Sequence, residues 1–336
     1  MEKKKAIILM AYGSPEGPEE IEPYYTHVRR GRKPTPEEVE NLSARYKLIG
    51  GKSPLFKITV STAEKLQTKL GGNIKVYVGM KHWHPYIGEV FDQISKDGVT
   101  DLLAIALAPH YSRMSIGGYQ ESVNKANEEH GGNVKITNVN EWYLNTEFLE
   151  KWTQRITQAL EKRFRGKQKR EVFFLFTAHS LPERILTWKD PYKIQLLETA
   201  DRLAAKLALD KEQYGFAFQS AGHTSEPWLG PDILDKIRQL KEAGWNNILV
   251  MPVGFVSDHL EILFDIDVEA KQLAKELGIQ VERTESFNDS DDFIEVLASI
   301  VETQDFKSDP KSSHKSSFDD PPAEKAPYFT LESKGE

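Results

Sequence analysis

The chain has 336 residues, of which 39% are hydrophobic and 28% charged, a balance ordinary for a globular protein and long enough for two domains. Its 51 acidic residues outnumber 44 basic ones, which argues against a general nucleic-acid binder. There is no cysteine, so disulfides, thiolate catalysis, cysteine-ligated zinc and iron–sulfur clusters are excluded; a metal must be held by His, carboxylate, Tyr or Met.

"MEKKKAIILMAYGSP" imitates a signal peptide, but its apolar run is short and lacks a cleavage-like end, so it reads as a buried first strand. No apolar run approaches the ~20 residues of a membrane span, and the expectation is a cytoplasmic protein. Thr35, Pro36 and Glu38 form a capping box with proline in the first helical turn. Further strands are expected in "IKVYVGMKH", "DLLAIALAPHY" and "VKITNVNEW". Asn145 then precedes Phe148, Trp152, Ile156 and Leu160, an apolar stripe at helical steps of four. The strands "EVFFLFTAHS", "GFAFQSAG", "NILVMPVGF" and "IQVERTESF" follow.

Short apolar runs alternating with amphipathic stretches predict α/β architecture with parallel sheets flanked by helices. The halves also resemble each other: "KDGVTDLLAIALAPHYS" matches "EAGWNNILVMPVGFVSD" in pattern, and "KKAIILMAYGSP" matches "REVFFLFTAHSLP". Two Rossmann-like halves are therefore expected, residues 1–165 and 166–303, joined near 161–171, with a cleft between them. Residues 304–336, rich in Ser, Lys, Asp and Pro, read as a disordered tail.

Ligands of such sheets lie beyond the strands' carboxyl ends, which directs attention to the loops there. His179 follows one very hydrophobic strand, and His259 and Glu261 follow another. A histidine there is commonly structural, but a neutral imidazole facing a carboxylate also suits a divalent metal or proton abstraction. Glu261, Asp265 and Glu269 would form a carboxylate ladder on one helix face, at a cost in helix stability from like-charge repulsion. Leu260, Ile262, Leu263, Phe264 and Ile266 surround them, so the ladder should be partly buried and need a cation or raised pKa values. The basic run holding Arg29, Arg30, Arg32 and Lys33 has three readings: a solvated loop, a nucleic-acid patch, or a clamp for a ligand with several carboxylates, extended by Arg45 and Tyr46. Sequence physics does not choose among them. "IGGKSP" is no P-loop, since Tyr46 occupies the required glycine position, and His82 and His84 in "KHWHP" favour a local structural role.

Taken together, "AYGSP", "RRGRKP", "RYKLIGGKSPL", "LAPHYS", "AHSLPE", "QSAGHTSEPWLGPD" and "PVGFVSDHLEILFDIDVE" resemble the ferrochelatase family, in the family's order and over roughly residues 6–303. The resemblance implies insertion of Fe²⁺, as substrate metal, into a porphyrin, with no organic cofactor. It implies catalytic and metal-site roles for His179 and Glu261, with Asp265 and Glu269 continuing a path for metal or protons. Tyr12 matches the tyrosine of Gram-positive-type enzymes that use coproporphyrin III, and Arg29, Arg45, Tyr46, Ser53 and Tyr119 match their porphyrin contacts. Thr177, Ala221 and His223 depart from the pattern and bear on fine substrate preference. The resemblance further implies a monomer making transient contact with neighbouring haem-pathway enzymes. Two rivals are a protoporphyrin IX ferrochelatase and a non-enzymatic haem or metal carrier, which would have no need of a proton path.

Overall fold

The structure is a computed structural model and describes residues 4–71, 74–222 and 224–304. The sequence-predicted tail lies outside the described residues, as does His223.

The first part of the chain runs β1 (Lys5–Ala11), α1 (Ile21–Val28), α2 (Pro36–Leu48), α3 (Leu55–Lys69), β2 (Lys75–Met80), α4 (Ile87–Lys96), β3 (Asp101–Ala106), α5 (Ile116–Glu129) and β4 (Lys135–Val139). Then come α6 (Thr146–Arg163), β5 (Phe173–His179), α7 (Arg184–Thr187), α8 (Tyr192–Lys206), β6 (Tyr214–Gln219), α9 (Ile233–Glu242) and β7 (Asn247–Met251). The last elements are α10 (Leu260–Leu263), a π-helix (Asp265–Ala270), α11 (Lys271–Leu277), β8 (Gln280–Arg283) and α12 (Asp291–Thr303).

The eight strands form two all-parallel sheets, ordered β2-β1-β3-β4 and β6-β5-β7-β8. The second order is the first shifted by four strands, so the internal likeness in the sequence is a likeness of topology. Helices cover both faces of each sheet, which is why the central strands are apolar at successive positions and do not alternate. Ile7, Ile8 and Leu9 in β1, and Phe174, Leu175 and Phe176 in β5, are fully buried. At about 1.5–3 kcal/mol per large apolar side chain, these strands anchor the fold.

Local signals act as the sequence suggested. Thr35 and Glu38 complete a reciprocal capping box at α2. The Asn145 side chain accepts the Phe148 amide at 3.0 Å to start α6. Phe148, Trp152 and Ile156 are buried, with Leu160 half-buried at the end of the stripe. α6 follows the first sheet in the chain but packs on β7, α8 and α12, while α12 returns to α3 of the first sheet. The described residues through Gln304 therefore form one compact unit. No helix among them is long and apolar enough to cross a membrane.

Candidate active site

In both sheets the strand order reverses beside the first-formed strand, between β1 and β3 and between β5 and β7. Chain leaving neighbouring strands there departs in opposite directions and opens a crevice at their carboxyl ends. His179 ends β5, and the turn after β7 delivers Glu261, so both flank the second crevice. His179 Nε2 lies 3.2 Å from Glu261 Oε1, and its Nδ1–H donates to the Ser180 carbonyl, which fixes the ring. The Tyr192 hydroxyl donates to the His179 carbonyl at 3.0 Å.

Glu261 is held through its backbone as well. Its amide donates to His259 Nδ1 at 3.2 Å, so His259 caps α10, and its carbonyl accepts from Gln219 Nε2 at 2.9 Å. Gln219, fully buried at the end of β6, is oriented by the Thr177 hydroxyl at 3.1 Å. The cap requires an unprotonated Nδ1, in keeping with the burial that lowers the His259 pKa below its ordinary value against the pull of Glu261 and Asp258.

The sequence reading considered what a neutral imidazole facing a carboxylate could do; in the structure the carboxylate itself bears on the ring's charge. Burial by itself would lower the His179 pKa, but the Glu261 charge and hydrogen bond outweigh it and raise it to about 9. Burial pushes Glu261 up, and His179, by charge and hydrogen bond, brings it down to about 2. The pair is an imidazolium–carboxylate ion pair at neutral pH; the neutral histidine beside it is His259. Their side chains remain 31% and 35% exposed, so burial here is by the walls of an open recess.

The acidic ladder differs from expectation. The stretch is one turn of α-helix followed by a π-helix, with the Glu269 amide reaching back five residues to the Phe264 carbonyl at 2.9 Å. A residue four further along an α-helix overshoots a full circle by about 40°, whereas in the wider π-turn it falls short of one. The two deviations oppose each other, so the π-turn keeps Glu269 in line with Glu261. Asp265 is buried and accepts a hydrogen bond from the Ser220 hydroxyl. Burial, with the charges of Glu261 and Glu269 opposing Ser220 and Arg45, raises Asp265 to about 7. Burial likewise raises Glu269, and Arg45 counteracts it. The row thus contains one member that exchanges a proton near neutrality, and an arginine faces it; both relieve the repulsion. Among the described residues, no three His, Asp or Glu side chains converge as a metal-holding group, so His179 and Glu261 meet while Asp265 and Glu269 follow singly.

Across the recess stand residues of the first sheet. Tyr12 follows β1, and its ring lies 4.4 Å from that of His82, tilted by 46°. It is 44% exposed, yet the surrounding walls withhold enough water to raise its phenol pKa well above ordinary, and Glu261 adds to the rise. Burial also raises Tyr46 and Tyr119, and Glu261 contributes again. Arg45 lies 5.0 Å over the Phe264 ring and lowers the pKa values of Glu261, Asp265 and Glu269 by its charge. The Glu261 charge therefore bears on Tyr12, Tyr46 and Tyr119, and the Arg45 charge bears on Glu261. Arg29 and Ser53 have local partners: Arg29 pairs with Glu38 and lies 5.3 Å over Tyr25, and buried Ser53 accepts the Leu55 amide at 3.2 Å. Sequence reading passed over Gln219, Ser220 and Tyr192. The first two stand in "QSAG", where a polar pair directly after a buried strand was the available signal.

Two crevices at matching switch points, one carrying the His–Glu pair, define the class: a two-sheet chelatase fold. Solved structures support it. SirB from Bacillus subtilis with Fe³⁺ superposes with a TM-score of 0.57 at 13% identity, covering 89% of this chain and 95% of that one. CbiX, described as the terminal enzyme for biosynthesis of sirohaem in denitrifying bacteria, gives 0.52 at 14% identity, covering 89% and 100%. A profile of the ferrochelatase family matches residues 4–305. A ferrochelatase of Herpetosiphon aurantiacus is 47% identical over 90% of this chain and 100% of its own length. Coproporphyrin III ferrochelatases of Bacillus mycoides and Geobacillus thermodenitrificans are each 42% identical, covering 90% and 89% of this chain and 97% and 95% of theirs. The chain belongs to the ferrochelatase family and is a metal–porphyrin chelatase, taking ferrous iron and a porphyrin as substrates.

Proposed function

We propose that the enzyme inserts Fe²⁺ into coproporphyrin III, forming iron coproporphyrin III and releasing two protons. The observation carrying the residue assignment is the His179–Glu261 pair at 3.2 Å in a recess faced by Tyr12, Tyr46 and Tyr119. His179 first gives up its Nε2 proton to the row that leads to Asp265; the neutral ring then takes the metal or a pyrrole proton, and Glu261 compensates the charge at each stage. Asp265, titrating near neutrality, passes protons along the row toward Glu269. Holding the macrocycle out of plane so that its nitrogens face the metal draws on binding energy along the rest of the ring.

Two features support the four-carboxylate ring over protoporphyrin. Several close relatives carry the coproporphyrin III name over nearly their whole length. The Arg30 charge also reaches Lys81: burial lowers the Lys81 pKa, Arg30 lowers it further, and Glu121 opposes them only in part, so a ligand carboxylate alongside would be favourable. Arg30 belongs to the basic run already read as a carboxylate clamp, and Lys81 joins it; Arg29, of the same run, pairs with Glu38.

The test is anaerobic. Purified protein receives Fe²⁺ with coproporphyrin III, protoporphyrin IX or both, and the porphyrin absorption bands are followed. Coproporphyrin should be consumed first in competition. Preferential use of protoporphyrin overturns the substrate assignment, and binding without insertion points to a carrier.

A further inference from the structure

Arg283, at the end of β8, has no part in the reaction described above, yet nearly all its donors are committed. Its Nη2 forms an ion pair with Asp258 Oδ1 at 3.1 Å and donates to Asp267 Oδ2 at 2.8 Å. Nε reaches both Asp267 oxygens at 3.1 and 3.0 Å, and Nη1 donates to the Thr284 carbonyl at 3.1 Å. The side chain is only 12% exposed. Asp258 is saturated from its other side: Ser286 Oγ donates at 2.7 Å, Asn288 Nδ2 at 3.0 Å, and the Asp258 amide donates to Asn288 Oδ1 at 2.7 Å.

What the guanidinium joins is informative. Asp258 immediately precedes His259, which caps the turn through the Glu261 amide, and Asp267 lies inside the π-turn between Asp265 and Glu269. One rigid fork thus spans the segment that presents Glu261, Asp265 and Glu269, gripping it before the first carboxylate and again between the last two. A guanidinium holds two carboxylates in fixed geometry where an ammonium, a point charge on a flexible stem, does not. A wide π-turn carrying three carboxylates would otherwise relax toward ordinary helix, turning Glu269 out of line.

We infer that Arg283 is a positioning residue for metal delivery, clasping Asp258 and Asp267 from behind so that the carboxylate row keeps its alignment with Glu261. This rests on the reading of Glu261 and the row as the metal-handling side of the site.

The test compares wild type, Arg283→Lys, Asp267→Ala and Glu261→Gln. It reads KM for Fe²⁺, KM for coproporphyrin, kcat, thermal midpoint, and Co²⁺ affinity by calorimetry without porphyrin. Groups that orient metal ligands typically change metal affinity 10–100-fold when removed, so Arg283→Lys and Asp267→Ala should raise KM for Fe²⁺ and weaken Co²⁺ binding by about tenfold or more. KM for coproporphyrin should stay at its wild-type value. A lower thermal midpoint with both KM values intact, or equal rises in both, makes Arg283 a strut and overturns the inference. Asp267→Ala, which leaves the Asp258 contact in place, decides the matter should Arg283→Lys fold poorly. Should Glu261→Gln alone weaken metal use, the Arg283 inference falls by itself; should Glu261→Gln also leave it intact, the reading of the site falls with it.

Discussion

His179 and Glu261 set each other's protonation, and this has consequences for stability and catalysis alike. His179 is raised from 6.5 to about 9, so its pairing stabilises fully below its ordinary value and is lost as pH rises through about 9. Glu261 is lowered from 4.5 to about 2, so its contribution is full above its ordinary value and is lost as pH falls toward about 2. The pair therefore stabilises most between about 4.5 and 6.5. Glu261→Gln should cost most stability in that window and progressively less toward pH 9, measured as the difference in urea midpoint from wild type. In the same variant the His179 imidazole should titrate lower than in wild type, because burial loses its largest opponent while the Ser180 carbonyl and the Asp265 charge still oppose it; NMR of the ring protons reads this directly. A His179 titration unchanged by the substitution would mean the carboxylate is not its controlling neighbour. Catalysis runs the opposite way. On the proposed role of His179, Fe²⁺ would compete with its proton, so the apparent KM for Fe²⁺ should fall as pH is raised from 7 toward 9.

The π-turn lets the sequence and the structure be compared most closely. All eight strands were legible, because a parallel strand buried on both faces must be a short, continuous apolar run. The switch-point placement of His179 and Glu261 was legible too, since it follows from topology once strands are assigned. The π-turn was not, because its apolar and acidic residues fit α-helical spacing as well; Arg283, which grips it at Asp267, lies sixteen residues beyond and on another element. The charge state of His179 was equally hidden, since it depends on a 3.2 Å approach between residues 82 positions apart. The Arg29–Glu38 pair was hidden because Glu38 was already assigned to the α2 cap and serves both. One consequence belongs to this element. Asp265 titrates at about 7, so Asp265→Asn should remove an inflection near neutrality from the kcat profile, whereas Glu269→Gln should leave that inflection and lower kcat less. A profile that keeps the inflection in Asp265→Asn would transfer it to another group.

At the scale of the molecule, the cleft is bolted on both flanks. On one, the loop after β3 is held by α8 and the turn before it. His110 Nε2 bonds Thr199 Oγ1 at 2.8 Å, the Tyr111 amide donates to Gln195 Oε1 at 2.6 Å, and Ser112 Oγ and the Arg113 amide donate to Asp190 Oδ2 at 3.0 and 2.8 Å. On the other, Ser61 Oγ and Lys65 Nζ of α3 reach Asp289 Oδ2 and the Asp289 carbonyl, each at 2.6 Å. Asp190 matters beyond its place in the joint. Its Oδ1 also accepts the Tyr192 amide at 3.0 Å, and Tyr192 supports the His179 carbonyl, so one buried carboxylate connects the first sheet's loop to His179 of the second sheet. Asp190→Ala would strand three donors, and hydrogen bonds to a charged acceptor are worth about 1.5–3 kcal/mol each before relaxation, so a loss of about 3 kcal/mol is expected. Because the second flank stays closed, the halves should still melt together. The six tryptophans serve as probes, Trp83 beside the first sheet and Trp188, Trp228 and Trp245 around the second. In urea, fluorescence and far-UV circular dichroism should trace one coincident transition at a lower midpoint, with kcat reduced. Two separated transitions would mean that Asp190, rather than α3 and α12, is what makes the two sheets a single cooperative unit.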